Sequence, residues 1–170
     1  MLDAAGKIFA ADGFHAASMD EIATAAGISK PMLYNYFGSK EGLYIAYVRR
    51  SGQGLLEAMR TADSPESTAD DRLHAGIVAF LDYVDAHRSG WAVLFKEASS
   101  QGGPIAEQVA DLRQRIARML EDLFRSEGFA HAFVGASESL ANWWLEHPDT
   151  PQAEIARLLT SIAQIALPAR

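Results

Sequence analysis

Residues 18 to 37 read SMDEIATAAGISKPMLYNYF, a pattern typical of two short helices joined by a tight turn. Its first four residues have the pattern of a capping box, in which the Ser18 hydroxyl is expected to accept from the backbone N–H of Glu21. The Glu21 carboxylate would reach back to the backbone N–H of Ser18, so that two free donors are satisfied together. The pattern therefore predicts a short helix over residues 18–26.

The second half of the stretch predicts a tight turn and another short helix. Gly27 can adopt the positive φ that a tight turn between helices requires. Ser29 belongs to the residue types that cap helices, and Pro31 falls in the first turn, where its missing N–H costs nothing. We therefore expect a second helix over residues 29–37.

A preceding helix, expected at residues 2–12 and ended by Gly13, completes a helix-turn-helix unit. In such a unit the second short helix enters the major groove of DNA. Helical spacing turns Leu33 and Phe37 of that helix inward. The side chains that can reach outward from it are Lys30, Met32, Tyr34, Asn35 and Tyr36.

Each outward residue type suits one kind of DNA contact. Asn35 carries a donor and an acceptor in the arrangement that an adenine edge requires. The hydroxyls of Tyr34 and Tyr36 can bond phosphate oxygens, and Lys30 and Lys40 supply positive charge. The sequence thus predicts a DNA-reading surface on this helix.

The remaining chain shows helical apolar spacing interrupted by Gly, Pro, Ser and Asp, and no strand is predicted. An all-α fold is therefore expected, with a three-helix helix-turn-helix head followed by a helical bundle. The expected helices lie at about residues 2–12, 18–26, 29–37, 39–62, 69–87, 91–99, 105–126, 132–146 and 151–166.

The charge balance at first opposes nucleic-acid binding, since 15 basic residues stand against 22 acidic ones for a net charge of -7. Its distribution changes that conclusion, because residues 1–50 carry five of each sign and the whole excess lies beyond them. Between residues 29 and 50, four basic residues stand against one acidic residue. This local positive strip fits contact with DNA phosphates through a small part of the surface.

Several classes of function find no support in the sequence. The chain has no cysteine, which excludes disulfides, thiol nucleophiles and cysteine zinc sites. No run approaches about 18 consecutive apolar residues and no signal pattern opens the chain, so a cytoplasmic protein with no membrane partner is expected. No G-x-S-x-G, P-loop or G-x-G-x-x-G motif occurs, and the histidines share no metal-ligand spacing. Neither an enzyme, a cofactor nor a metal is expected.

Four short motifs carry a family resemblance: AAGKIFAADGF at 4–14, SMDEIA at 18–23, AGISK at 26–30 and SKE at 39–41. With Leu33, Tyr34 and Phe37 they resemble the N-terminal signature of the TetR, or tetracycline-repressor-like, family. The resemblance covers about the first 45 residues. It implies a ligand-responsive transcriptional repressor that binds a palindromic DNA operator as a homodimer and is released by a small-molecule effector.

The resemblance also implies particular DNA contacts. The recognition helix would contribute residues 29–36, and Ser18 and Lys40 would contact phosphates. The full set of candidate DNA-binding residues is Ser18, Ser29, Lys30, Pro31, Met32, Tyr34, Asn35, Tyr36 and Lys40. The DNA-binding domain is then expected at residues 1–45, and the effector-binding and dimerisation domain at residues 46–170.

Three features depart from the family pattern. Pro31 and Met32 stand where small or hydroxylated residues are common, and Tyr36 replaces a frequent His. Family members usually begin with several basic residues, whereas this chain opens at Met1 and Leu2, so that the basic arm is either absent or trimmed. The missing arm and the net negative charge leave open a ligand-binding or partner-binding helical protein with weakened DNA binding. An activator with the same head is a further alternative.

Beyond residue 50 the resemblance implies only the number and order of helices. A middle set would enclose the cavity of an unidentified effector, and the last two helices would pair across a dimer axis. Candidate cavity walls are Met59, Phe80, Tyr83, Trp91 and Phe95, for each of which ordinary core packing is the alternative. Candidate dimer-interface residues are Leu140, Trp143, Trp144, Leu158 and Ile162, for which packing on the seventh helix is the alternative.

Overall fold

The computed structural model of the protein describes residues 1–97 and 102–165. Over these residues the chain forms nine α-helices, one π-helical segment and no strand, which confirms the predicted all-α class. The helices are α1 (Leu2–Ala16), α2 (Met19–Ala25), α3 (Lys30–Phe37), α4 (Lys40–Ala62), α5 (Ala69–Ala86), α6 (Arg88–Trp91), α7 (Gly103–Phe124), α8 (Glu127–Glu146) and α9 (Gln152–Gln164). The π-helical segment, Ala92–Glu97, continues directly from α6.

Among the later helices, the sixth and the eighth differ most from the predicted bounds. The sixth helix begins three residues earlier than expected and becomes π-helical. The eighth begins at Glu127 instead of residue 132, because the Ser126 hydroxyl accepts from the backbone N–H of Phe129 at 3.2 Å and caps it there. The predicted ends of the sixth and ninth helices, at residues 98–99 and 166, lie outside the described residues.

Two details of the head also differ from the prediction. Gly13 does interrupt α1, with φ 77° and ψ 168°, but the chain then resumes the helix for another turn. The Ser18 hydroxyl accepts from the backbone N–H of Asp20 at 3.2 Å, not from that of Glu21. Ser18 therefore caps α2 as predicted, but the N–H that donates to it lies one residue earlier than the capping-box pattern indicates. Gly27 takes the predicted positive φ, of 67°.

The described residues form two compact units. The first unit comprises Met1–Gln53 and the described part of His87–Ala110. The second comprises Gly54–Ala86 and the described residues from Asp111 onward. The division falls inside α4, so the two halves of that helix belong to different units.

Aromatic contacts between α1 and α4 form the core of the first unit. The rings of Phe9 and Phe14 lie 4.8 and 5.0 Å from the ring of Tyr44 in edge-to-face geometry. Pairs of this kind contribute about 0.5 to 1.5 kcal/mol each beyond the area they bury. Tyr44 is fully buried, and its hydroxyl donates to the backbone carbonyl of Val93 at 3.1 Å. One tyrosine of α4 thus holds both α1 and the π-helical segment.

A second tyrosine of α4 requires two glycines around it. A Cβ atom at Gly6 of α1 would lie 2.2 Å from the Tyr47 ring, and one at Gly90 of α6 would lie 2.9 Å from its hydroxyl oxygen. Real Cβ atoms do not approach other atoms so closely. Glycine at both positions therefore lets α1 and α6 pack against Tyr47.

The second unit is built by α5, α8 and α9, which pack on one another. Ile155 and Leu159 of α9 are fully buried. Arg113 of α7 donates two hydrogen bonds to the Glu138 carboxylate of α8, at 2.6 and 2.7 Å, and this fork raises the pKa of the guanidinium above its ordinary range. Across residues 1–97 and 102–165, no helix is both long and apolar enough to span a bilayer.

Candidate DNA-binding site

The helix-turn-helix is positioned by a small number of buried side chains. Ile22 and Ala23 of α2 are buried, and Leu33 is the buried residue of α3. The Ser29 hydroxyl accepts from the backbone N–H of Met32 at 3.4 Å, which confirms the predicted cap of α3. Because a single leucine anchors α3, most of that helix faces outward.

The outward face of α3 carries the side chains that the sequence predicted for it. Lys30, Pro31, Met32, Tyr34, Asn35 and Tyr36 are all exposed, and Tyr36 is the most exposed large side chain among them, at 63%. Phe37, predicted to point inward, is only half-buried. The helix therefore presents one amide, two phenol hydroxyls and one thioether on a single exposed surface.

Lys30 forms an ion pair that the sequence did not predict. Its Nζ donates to Oδ2 of Asp20 at 2.8 Å, which joins the first residue of α3 to α2. The hydrogen bond to Asp20 raises the pKa of the Lys30 ammonium above its ordinary value. Ten residues separate the two along the chain, and no local pattern pairs them.

Lys40 is also bonded within the protein. Its Nζ donates to the backbone carbonyls of His15 at 2.9 Å and Ala17 at 3.3 Å, and it lies 5.0 Å from the centre of the Phe14 ring. A cation at the C-terminal end of a helix satisfies free carbonyls and complements the helix dipole. Lys40 thus fixes the end of α1 against the start of α4, and one of its three N–H donors is left for another acceptor.

The two arginines of the positive strip have partners as well. Arg49 donates from Nε to Oε1 of Gln108 at 2.7 Å. Arg50 donates from Nη2 to Oδ1 of Asp3 at 2.6 Å, in an exposed ion pair. All four cations between residues 29 and 50 therefore bond to oxygen atoms of the chain itself. Among the described residues, only Lys30 and Arg50 are paired with carboxylates, while Lys40 and Arg49 bond neutral oxygens and keep their charge uncompensated.

The five candidate effector residues fall into different units. Trp91 and Phe95 belong to the first unit, where both are buried and their ring centres lie 4.1 Å apart. Met59, Phe80 and Tyr83 belong to the second. Met59 and Phe80 are buried there and Tyr83 is half-buried. Their part in effector binding remains a prediction.

The five candidate dimer residues divide by exposure. Trp143 and Leu158 are exposed at 44% and 46%, whereas Leu140 and Ile162 are half-buried. Trp144 lies inside its own protomer, where it is buried and its indole N–H donates to the Thr150 carbonyl at 2.9 Å. The structure thus places one of the two adjacent tryptophans at the surface and the other in the core.

Several apolar side chains of the C-terminal region are therefore exposed or half-buried. Ile165, 80% exposed, directly follows α9 and lies three residues after Ile162, which is itself four residues after Leu158; on α8, Leu140 and Trp143 are three residues apart. Residues three and four apart share one face of a helix. We call Leu140, Trp143, Leu158, Ile162 and Ile165 the C-terminal apolar row.

Family comparisons agree over both parts of the chain. Residues 1–47 match the family description "Bacterial regulatory proteins, tetR family", and residues 69–165 match "Tetracyclin repressor-like, C-terminal domain". The HTH-type transcriptional activator FasR of Mycolicibacterium smegmatis is 32% identical over 156 residues, which cover 86% of this chain and 71% of that protein. RutR of Escherichia coli K12 is 33% identical over 121 residues, which cover 68% of this chain and 55% of that protein.

Solved structures show the same fold. A TetR-like transcriptional regulator from Rhodococcus sp. RHA1 is 37% identical, with a TM-score of 0.83 over 96% of this chain and 91% of the other. FadR from Bacillus subtilis, solved in complex with stearoyl-CoA, has a TM-score of 0.80 over 98% of this chain and 95% of its own, and at 17% identity it shows the fold alone. With both halves matched and relatives above 30% identity, the chain belongs to the TetR family of transcriptional regulators.

Proposed function

We propose that this regulator is a homodimeric repressor that binds a palindromic operator and releases it when a small molecule binds. The observation that carries the proposal is the exposed face of α3, a helix that Ser29 caps and one buried leucine anchors. A helix held in this way can enter a major groove without disturbing the core that supports it. The proposal assigns the chain to the cytoplasm and gives it no catalytic reaction.

The proposed contacts follow from the chemistry of each exposed side chain. Asn35 reads an adenine edge, and the phenol hydroxyls of Tyr34 and Tyr36 bond phosphates or bases. Ser18 and Ser29 lie at helix N-termini, where backbone N–H groups favour phosphate. The remaining members of the proposed contact set are Lys30, Pro31, Met32 and Lys40.

The C-terminal apolar row supports the proposed homodimer. It consists of exposed and half-buried apolar side chains on the last two helices and at the residue that follows them, and such surfaces mark sites of protein contact. A two-fold axis would bring the row of one protomer against the same row of its partner. Trp144 supports this surface from inside the protomer.

We assign the DNA-binding domain to residues 1–45 and the effector-binding and dimerisation domain to residues 46–170. The family match to residues 1–47 supports the first assignment and the match to residues 69–165 supports the second. Met59, Phe80, Tyr83, Trp91 and Phe95 remain the candidate effector contacts.

The proposed response to effector acts through α4. Its N-terminal half belongs to the first unit with α1, α2 and α3, and its C-terminal half belongs to the second. A shift of α4 would change the separation of the two recognition helices, which must be about 34 to 36 Å or a multiple to read both half-sites. A coupling of about 1 to 3 kcal/mol is enough to release the operator.

Selection of binding sites from a random duplex library tests the proposal. We expect enrichment of a palindrome whose complex weakens steeply with salt and depends on Asn35 and Lys40. Failure to enrich any sequence, together with absence of salt-sensitive binding to DNA, would overturn it. That outcome would favour the alternative of a partner-binding helical protein with weakened DNA binding.

Activation of transcription is a second candidate, because the relative from Mycolicibacterium smegmatis is named a transcriptional activator. The same head would bind DNA in either case, so operator binding does not separate the two. A reporter placed downstream of the selected operator, compared in the deletion strain and its parent, does separate them. Higher output in the deletion strain supports repression and lower output supports activation.

A further inference from the structure

The Lys30–Asp20 ion pair lies on the surface that is proposed to face DNA. Its lysine is the first residue of α3, and its aspartate lies two residues after Ser18, the cap of α2. Both side chains are exposed, and their charged atoms are 2.8 Å apart. A carboxylate at this place repels DNA phosphates. It also pairs with the Lys30 ammonium, which would otherwise be free to contact a phosphate.

The pair has a local electrostatic cause. A lysine in the first turn of a helix meets the positive end of the helix dipole, which is unfavourable for it. The Asp20 carboxylate offsets that interaction by accepting a hydrogen bond from the ammonium. In the protein without DNA, Lys30 therefore has a specific partner instead of a freely moving charge.

We propose that Asp20 restrains Lys30 and thereby weakens sequence-independent binding of this head to DNA. The inference rests on the proposed function, since it describes the regulation of the same surface. Sequence-independent affinity comes almost entirely from cations that neutralise phosphates. A cation paired with its own carboxylate contributes less to that affinity than a free one, so Asp20 acts as a positioning residue that limits unproductive binding.

The test measures binding of the full chain to a mixed-sequence duplex of about 30 base pairs, by fluorescence anisotropy, between about 50 and 200 mM salt. Asp20→Asn removes the carboxylate and leaves Lys30 free. Glu21→Gln is the matched control, because it removes the same charge from the neighbouring residue. Glu21 is exposed and has no ion pair within residues 1–97 and 102–165.

We expect Asp20→Asn to tighten binding and to steepen the slope of log K against log salt by about 0.9 for each head engaged. Because of this one additional phosphate contact, the affinity of Asp20→Asn should fall about 3-fold more than that of the wild type between the lowest and the highest salt concentration. Glu21→Gln should leave the slope unchanged. In a Lys30→Met background, Asp20→Asn should no longer steepen it, because the cation that it would release is absent.

The inference is overturned if Asp20→Asn leaves the slope unchanged, if Glu21→Gln steepens it equally, or if the effect persists in the Lys30→Met background. Persistence would mean that Asp20 acts only by repelling phosphates. Failure of the proposed function looks different, because the wild-type protein would then bind neither the mixed duplex nor any selected operator at low salt. Thermal melts of each variant confirm that the head is folded at the measuring temperature.

Discussion

Helix α3 and the C-terminal apolar row both present large side chains to water, but with different chemistry. The exposed side chains of α3 include an amide and two phenols, each of which can donate and accept hydrogen bonds. The C-terminal apolar row consists of leucine, isoleucine and tryptophan side chains, of which Ile165 is 80% exposed. One surface suits a hydrogen-bonding ligand and the other suits a second apolar surface.

The difference also appears in how each helix is held. A single buried leucine anchors α3, so its outward face is free to contact a ligand. By contrast, α8 buries six residues on its inner side and exposes Trp143 on another. A helix with a full inner face does not need a second apolar face for its own stability, so that face is available to a partner subunit.

The largest effect is expected from a substitution of Leu33, the buried residue that anchors α3. Leu33→Ala should lower the free energy of unfolding by about 2 to 5 kcal/mol, since it leaves a cavity beneath the helix. Operator binding should be lost with it. Thermal melts followed by circular dichroism give the stability. Met32→Ala removes a neighbouring exposed side chain and should change stability by less than about 0.5 kcal/mol; equal losses in the two variants would contradict the anchor role.

A charge in the C-terminal apolar row should nearly abolish the proposed dimer. Leu158→Glu would bury an unpaired carboxylate in the interface and raise the dimer dissociation constant by at least about 100-fold, or roughly 3 kcal/mol. Light scattering should then report a species of 18.5 kDa in place of one twice as heavy. Ala153→Glu, on another face of α9, is the control. A dimer that persists in Leu158→Glu would show that the row is not the interface.

A smaller effect is expected from a substitution of Asn35 on the exposed polar face of α3. Asn35→Ala should lower discrimination between the selected operator and a mixed duplex by about 1 to 3 kcal/mol, because one bidentate base contact is lost. Its melting temperature should stay near that of the wild type, since Asn35 is exposed. Competition binding with the two duplexes measures the effect. Unchanged discrimination would mean that Asn35 reads no base.

Lys40→Met tests whether a predicted DNA contact also stabilises the head. Loss of the hydrogen bonds to the His15 and Ala17 carbonyls should lower the free energy of unfolding by about 1 kcal/mol. Lys7→Met removes an exposed cation that has no ion pair among the described residues, so it should have almost no effect. Urea unfolding compares the two variants. If both lose the same stability, the carbonyl contacts contribute nothing.

The smallest effect is expected away from both surfaces, at the Asp63–Arg72 pair between α4 and α5. Two hydrogen bonds from Arg72, at 2.6 and 2.9 Å, lower the pKa of Asp63. Because the folded-state pKa is the lower one, the pair stabilises the fold above about pH 4 and loses that effect as the pH falls further. Partial exposure keeps the contribution below about 1 kcal/mol.

Asp63→Asn should therefore be less stable than the wild type at pH 7, and the difference should shrink at pH 3. Urea unfolding at the two pH values measures it. Glu66→Gln, at an exposed residue nearby, should show no such dependence. A difference that grows toward low pH would contradict the assignment.

The helix-turn-helix could be predicted from local sequence patterns alone. The caps at Ser18 and Ser29, the turn at Gly27 and the first-turn position of Pro31 act within three or four residues, so their effect can be predicted without knowing the rest of the fold. Even here the predicted donor to the Ser18 hydroxyl was wrong by one residue, since the N–H of Asp20 donates to it and not that of Glu21. Helical spacing likewise identified Leu33 as the buried residue of α3.

Which polar and apolar groups have partners depends instead on how distant helices pack together. Lys30 bonds to Asp20 across two helices, and Lys40 bonds to carbonyls more than twenty residues earlier. Trp143 and Trp144 are neighbours in the sequence, yet one is exposed and the other is buried, with its indole N–H donating to the Thr150 carbonyl. The rotation of a helix about its axis and the meeting of distant helices depend on packing of the whole core, which no local pattern encodes.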